Sequence, residues 1–167
     1  DESEDWWSDV MSKKRTGVFV CHCGTNIAAT VDVAKVAKEM AGEDSVAFTQ
    51  EYVYMCSDPG QQSVVQAIKD NKLDSVVVTC CSPNLHEKTF RDNAKRAGIN
   101  NFTCEIANIR EQCSWVHKDK EKGTEKAIKI SRSVVRRVNR NQPLESIAVN
   151  VTRRAMVIGG GIAGIQA

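Results

Sequence analysis

Leu73-Asp-Ser-Val-Val-Val-Thr-Cys-Cys81 is the stretch that decides how this chain folds. Its centre, Val76 to Val78, is an unbroken apolar run. A strand with one wet face would alternate apolar and polar residues; a continuous run suits a parallel strand buried on both faces. The run ends on two cysteines and then Ser82-Pro83, a loop signal.

Working outward, the same design recurs. Residues 16–21 form a short apolar strand that runs into Cys21-His22-Cys23-Gly24. Residues 45–54 read as a second strand, ending at Met55 and Cys56. Residues 102–106 read as a short fourth strand, with Cys113 beyond it. Between strands lie helical patterns. Residues 31–40 carry Val31, Val33, Ala34, Val36, Ala37 and Met40 as an apolar helical stripe, with Thr30 as N-cap and Gly42 as stop. Ser57 to Gly60 is a loop opening a helix to about residue 71, with Pro59 in its first turn. Residues 24–30 and 82–86 read as loops, and residues 87–97 as a helix ended by Gly98. Asn108 caps a further helix through Cys113, and residues 123–139 form a longer one.

The order is β-α-β-α-β-α-β-α-α. Such alternation predicts a small α/β domain: a parallel, Rossmann- or flavodoxin-like four-stranded sheet with helices on both faces and right-handed crossovers. Ligands of such sheets sit outside the carboxyl ends of the strands, which is where the cysteines fall. The expected domain spans residues 15–141. Residues 1–14 read as a tail, with Trp6 and Trp7 as candidate surface anchors. Residues 142–167 read as a linker and the truncated start of a second Rossmann domain.

The chain has 167 residues, 41% hydrophobic and 26% charged, enough to bury a core without staples. A net charge of +2 does not predict nucleic-acid binding. No stretch reaches the ~18 apolar residues of a membrane span, and the acidic start does not resemble a secretory signal. A cytoplasmic location follows as the expectation. There, an odd count of seven cysteines points to metal or redox chemistry instead of disulfides.

Thiolates are soft ligands that select zinc, copper(I) and iron–sulfur clusters. Any one cysteine here reads as core; the strand-end position, repeated, reads as a site. The candidates are Cys21 and Cys23 after the first strand, Cys56 after the second, Cys80 and Cys81 after the third, and Cys113 after the fourth. Side chains alternate along a strand, so Cys80 and Cys81 cannot both face one way unless the strand has ended. Cys81, nearer the loop, is the better ligand and Cys80 packs; Cys104, inside the fourth strand, also reads as core. Of the first pair, Cys23 beside Gly24 is preferred over Cys21. His22, His86 and His117 lie near the same edge and read chiefly as loop residues. Lys88, Arg91 and Arg110 are cations that could favour a reduced cluster. The basic end of the last helix, Lys126 to Arg140, reads mainly as a solvated face, with docking to an acidic partner as the runner-up.

Gly159, Gly161 and Gly164 fit G-x-G-x-x-G directly after the apolar residues 155–158. Such glycines allow the close approach of a dinucleotide pyrophosphate to a helix N-terminus. The acidic residue expected ~20 positions on falls beyond Ala167, so this chain alone is expected to bind no flavin.

The motifs VCHCGTNI, YMCSDPGQ, CSPNLHEKTFR, NIREQCSWVH and VIGGGIAGIQA, in that order, resemble the N-terminal region of the HdrA subunit of heterodisulfide reductase, from Arg15 to Ala167. The resemblance implies an iron–sulfur flavoprotein of anaerobes, with an FAD domain beginning at the glycine motif. It implies flavin-based electron bifurcation coupled to CoM-S-S-CoB reduction in methanogenic metabolism. It implies HdrB- and HdrC-type partner subunits and a hydrogenase or dehydrogenase electron donor. It also implies one [4Fe–4S] cluster in this region, held by four of Cys21, Cys23, Cys56, Cys81 and Cys113. A zinc-binding or metal-free docking domain of the same complex is the alternative.

Overall fold

In the computed structural model, which describes residues 14–167, four strands form one all-parallel sheet. They are β1 (Thr16–Cys21), β2 (Val46–Tyr52), β3 (Ser75–Cys80) and β4 (Cys104–Asn108), in spatial order β2-β1-β3-β4. Register runs from Thr16 opposite Val46 to Cys21 opposite Tyr52, and from Val76 opposite Cys104 to Cys80 opposite Asn108. The carboxyl ends of all four strands therefore reach one edge.

Helices α1 (Thr25–Ala28), α2 (Val33–Ala41), α3 (Asp58–Asp70), α4 (Pro83–Ala97), α5 (Lys120–Val138) and α6 (Ile162–Gln166) complete the chain. Strand alternation sorts the core into two layers. Val18, Val20 and Val77 pack with Val36 and Met40 of α2 and Ala127, Val135 and Val138 of α5. Phe19, Val76 and Val78 pack on the other face with Val64 and Ile68 of α3 and Phe90 and Ala94 of α4. Burying each such side chain contributes about 1.5–3 kcal/mol. The connection leaving β1 thus covers one face, and those leaving β2 and β3 cover the other. The chain reverses direction across the sheet at β1, and a crevice outside β1 and β3 is the expected ligand position in this topology.

Several boundaries differ from the sequence reading, each for a local reason. Helix α2 starts at Val33, because Asp32 accepts from the Lys35 amide at 3.0 Å and caps it. The Thr30 hydroxyl instead donates to the Ser114 carbonyl at 3.0 Å. Helix α4 starts at Pro83, not residue 87: Ser82 is the cap and proline needs no partner in the first turn. Helix α5 starts three residues before Gly123, capped by Asp119, which accepts from the amides of Glu121 and Lys122. Gly123 is there for contact, since a Cβ would stand 2.4 Å from the Thr30 carbonyl oxygen. Strand β4 begins at Cys104, after a single 3-10 turn at Asn101–Thr103.

Beyond Asn108 the chain makes a π-helical turn, Arg110–Ser114, in place of an ordinary helix start. Its N-cap position is Ile109, one residue past the expected Asn108, whose side chain accepts from the amides of Arg110 and Glu111, both at 3.2 Å. Residues 155–158 form no strand; Met156 and Ile158 are 81% and 84% exposed. A lone strand has no ladder partner to hold it extended.

The Lys14 ammonium donates to the carbonyls of Val138 and Asn141, a cation on the carboxyl end of α5. The rest of the expected tail, with Trp6 and Trp7, lies outside the described residues. Among the described residues, no helix is long and apolar enough to cross a membrane.

Candidate metal centre

At the carboxyl edge, Cys21, Cys23, Cys56, Cys80 and Cys81 line one cavity of about 50 Å³, together with Tyr54, His86, Phe90 and Arg110. The cavity lies outside β1 and β3, as the topology requires. Three connections converge on it. Cys21 closes β1 and faces the α3–α4 side, the same side as Phe19. Cys23 lies just beyond, on a backbone turned to φ +50°. Gly24 follows at φ +58°, where a Cβ would meet the Tyr54 hydroxyl at 2.8 Å. That double left-handed turn swings the chain off the strand and aims it at α1. It is tied down by amide bonds from His22 to the Tyr52 carbonyl at 3.0 Å and from Gly24 to the Val53 carbonyl at 3.2 Å.

Cys23, Cys56 and Cys81 share a position: each immediately precedes the N-cap of a helix, Gly24, Ser57 and Ser82 respectively. The N-termini of the two long helices that follow, α3 and α4, carry partial positive charge. Cys21 has its own donors, accepting from the Cys23 amide at 3.3 Å and the Met55 amide at 3.4 Å. Arg110 donates from Nη1 to Cys23 Sγ at 3.5 Å.

The electrostatics divide the thiols. Burial pushes Cys21 up to about 11, against its two amide donors, and the neighbouring Cys23 and Cys56 sulfurs add to the rise. Burial also raises Cys56, and negative charge on Cys81 adds to it. The hydrogen bond between Cys80 and Cys81 raises Cys80 and lowers Cys81, with Arg110 further favouring the Cys81 thiolate. In a cavity this crowded the thiols cannot all ionise without a cation to share.

Two other cysteines stand apart. Cys104 faces the α3–α4 layer inside β4, where burial drives it to about 12; it is core, as expected. Cys113, expected among the ligands, is not brought to the cavity. It is fully buried in the opposite layer with Val18, Val20 and Ile109, and donates from Sγ to the Gly123 carbonyl at 3.0 Å. The π-turn after β4 starts the crossover to α5, so it directs Cys113 to the α2–α5 face. Cys80, expected only to pack, is 1% exposed and forms part of the cavity wall.

The histidines resolve individually. His22 faces Glu51 at 3.2 Å near the surface. His117 meets the Cys113 carbonyl through Nδ1 at 2.9 Å. Only His86 lines the cavity, its ring edge-on to Phe90. Tyr54 and Phe90 carried no signal as site residues, because what puts them there is the meeting of loops distant in sequence.

The donor set fits an iron–sulfur group: soft sulfurs from three strand ends, amide donors on Cys21, and helix N-termini facing a net negative guest. Arg110 lines the cavity, and its Nε–H is buried without a partner, a donor available to an anionic acceptor. Among the described residues, no group of three or more His, Cys, Asp or Glu side chains is disposed to hold a single metal ion.

No family model matches the chain. Full sequences do. The second A-type iron-sulfur subunit of CoB–CoM heterodisulfide reductase from Methanopyrus kandleri is 50% identical over 92% of this chain and 24% of the relative. The A-type subunit of the H2:CoB-CoM heterodisulfide, ferredoxin reductase of Methanothermobacter thermautotrophicus is 47% identical over 98% of this chain and 25% of the relative. In sequence the chain is HdrA-like. The A-type subunit of the ferredoxin:CoB-CoM heterodisulfide reductase of Methanosarcina mazei agrees, at 46% identity over 92% of this chain and 19% of the relative. The HdrA-like chain spans about a quarter of the length of the curated relatives it matches.

Proposed function

We propose that this HdrA-like segment carries one [4Fe–4S] cluster on Cys21, Cys23, Cys56 and Cys81, and serves as an electron-transfer module of a heterodisulfide reductase subunit. The observation that carries the reading is the convergence of these thiols on one cavity while Cys113 faces the opposite layer. Five motif cysteines competed for four places; removing Cys113 gives Cys21 and Cys23 a place each. Cys80 then remains as a packed wall beneath Cys81. The names of relatives call them iron-sulfur subunits, which supports a cluster of this general kind here.

A bound cluster supplies one-electron transfer without bond chemistry at the protein. The chain's own part is to hold the thiolates, supply the amide donors to Cys21, and keep water out with Phe90 and Met55, both buried. In the longer subunit, residues 142–167 would open the FAD-binding domain, with Gly159, Gly161 and Gly164 against the pyrophosphate. The proposed setting is cytoplasmic, with HdrB- and HdrC-type subunits as partners and a hydrogenase or dehydrogenase as electron donor, reducing CoM-S-S-CoB.

Zinc is the second reading. Four thiolates around one ion at ~2.3 Å each would have to converge on a point. In a cluster each iron instead takes one thiolate from the protein. Anaerobic reconstitution with iron and sulfide tests the choice. The expected result is about four irons per chain, by the cluster's formula, visible charge-transfer absorbance, and an EPR signal after dithionite. A colourless protein holding one equivalent of zinc would reverse it.

A further inference from the structure

The structure assigns to Arg110 the role of fixed cation at the Cys23 corner of the cavity, a positioning residue that sets how readily the bound group accepts an electron. The assignment rests on the cluster reading above. Of the cations near this edge, Lys88 is 90% exposed and pairs with Asp92 at 2.7 Å. Arg91 pairs with Glu87 at 2.9 Å and lies over Phe102. Among the described residues, Arg110 alone of these cations touches a candidate ligand, donating from Nη1 to Cys23 Sγ at 3.5 Å.

Its guanidinium is held from three directions. Nη2 pairs with Glu111 Oε1 at 2.8 Å, and the group stacks on Trp115 with its central carbon 4.8 Å from the ring centroid. The backbone beneath is fixed by the Asn108 side chain. The side chain is only 14% exposed, so solvent screens its charge weakly. Of its three nitrogens, Nε is buried without a hydrogen-bond partner among the described residues. A guanidinium presents its N–H groups as a rigid fork. With Nη1 on Cys23, Nη2 on Glu111 and Nε unpaired, the fork keeps donor capacity for an anionic acceptor.

A fixed positive charge beside a redox group stabilises the more negative, reduced state and raises its reduction potential. Trp115 and Glu111 keep that charge in place.

The test is the midpoint potential of the reconstituted 167-residue chain, read by EPR-monitored titration, with iron content measured alongside. Arg110→Gln should keep its iron and shift the potential to a more negative value. Arg110→Lys, which keeps the charge and loses the fork, should fall between Gln and the unaltered chain. An Arg110→Gln protein with full iron and an unshifted potential overturns the assignment while leaving the cluster reading intact. An unaltered chain that takes up no iron overturns both. If Arg110→Gln takes up no iron, Trp115→Ala decides: it keeps the charge but frees the guanidinium. A potential shifted to a more negative value upholds the role, and an unshifted one overturns it.

Discussion

The backbone amide of Met55 donates to Cys21 Sγ at 3.4 Å, across 34 residues of sequence. Through this bond the loop after β2 closes over the end of β1. It holds Cys21 inside the cavity that Cys56, one residue past Met55, also lines.

That closure separates the cysteines into ligands and core. Serine at Cys21, Cys23, Cys56 or Cys81 should lower iron retention by at least about tenfold, the scale reached by changing groups that merely support a ligand. Cys113→Ser should keep full iron and cost about 1 kcal/mol of stability, since its bond to the Gly123 carbonyl is buried. Iron per chain, measured after anaerobic desalting, checks the series; loss of iron in Cys113→Ser and not in Cys21→Ser would refute it.

In the cluster-free protein the thiols should alkylate in a set order. The Cys81 thiolate is favoured by Cys80 and Arg110, whereas burial holds Cys21 protonated to about 11. As pH is raised, Cys81 should react before Cys21. Peptide mapping after timed iodoacetamide exposure reads this directly, and earlier labelling of Cys21 would contradict it.

The same thiols make the cluster-free fold sensitive to alkali. A free thiol titrates near ~8.5, while burial raises Cys21 to about 11 and Cys104 to about 12 in the folded chain. The folded state therefore keeps protons that the unfolded chain releases. Their contribution is complete below the unfolded value and is lost as pH rises through the folded values. Urea midpoints should fall steadily from about pH 8.5 upward. Cys104→Val should make that fall shallower; an identical slope would show that Cys104 plays no part.

Gly24→Ala should destabilise the chain by about 1–2 kcal/mol from its left-handed backbone alone. The approach of the new Cβ to the Tyr54 hydroxyl, at 2.8 Å, adds to that. Thermal melting checks it. An unchanged midpoint would mean that the turn relaxes freely.

Cutting the chain after Asn141 should leave the melting midpoint nearly unchanged. Residues 142–161 form no helix or strand and are exposed throughout. Their bond to the body, from Asn100 Nδ2 to the Leu144 carbonyl at 3.0 Å, is exposed as well. A large fall in midpoint would show that the segment packs on the domain.

Much of this was legible in the sequence because it is local or follows from local order. Val76 to Val78 announced a doubly buried parallel strand, and β3 is buried along its whole length. Alternation of strands and helices implied the parallel sheet, and a parallel sheet brings every strand's carboxyl end to one edge. The errors were also local: Asp32 outcompeted Thr30 as a cap, and Ser82-Pro83 began a helix where a loop was expected.

The sequence by itself thus determined the sheet, its direction, and a thiol-bearing edge. It could not determine which face each connection would cover, because that depends on where the next helix finds a partner. Cys56 and Cys81 precede helices on the α3–α4 face, while Cys113 sits in the crossover to α5 and is carried to the opposite one. A residue just past a strand end has no fixed side of its own. Only the packed layers assign it one, and here they separate Cys113 from the thiols it resembles and set Arg110 beside Cys23 instead.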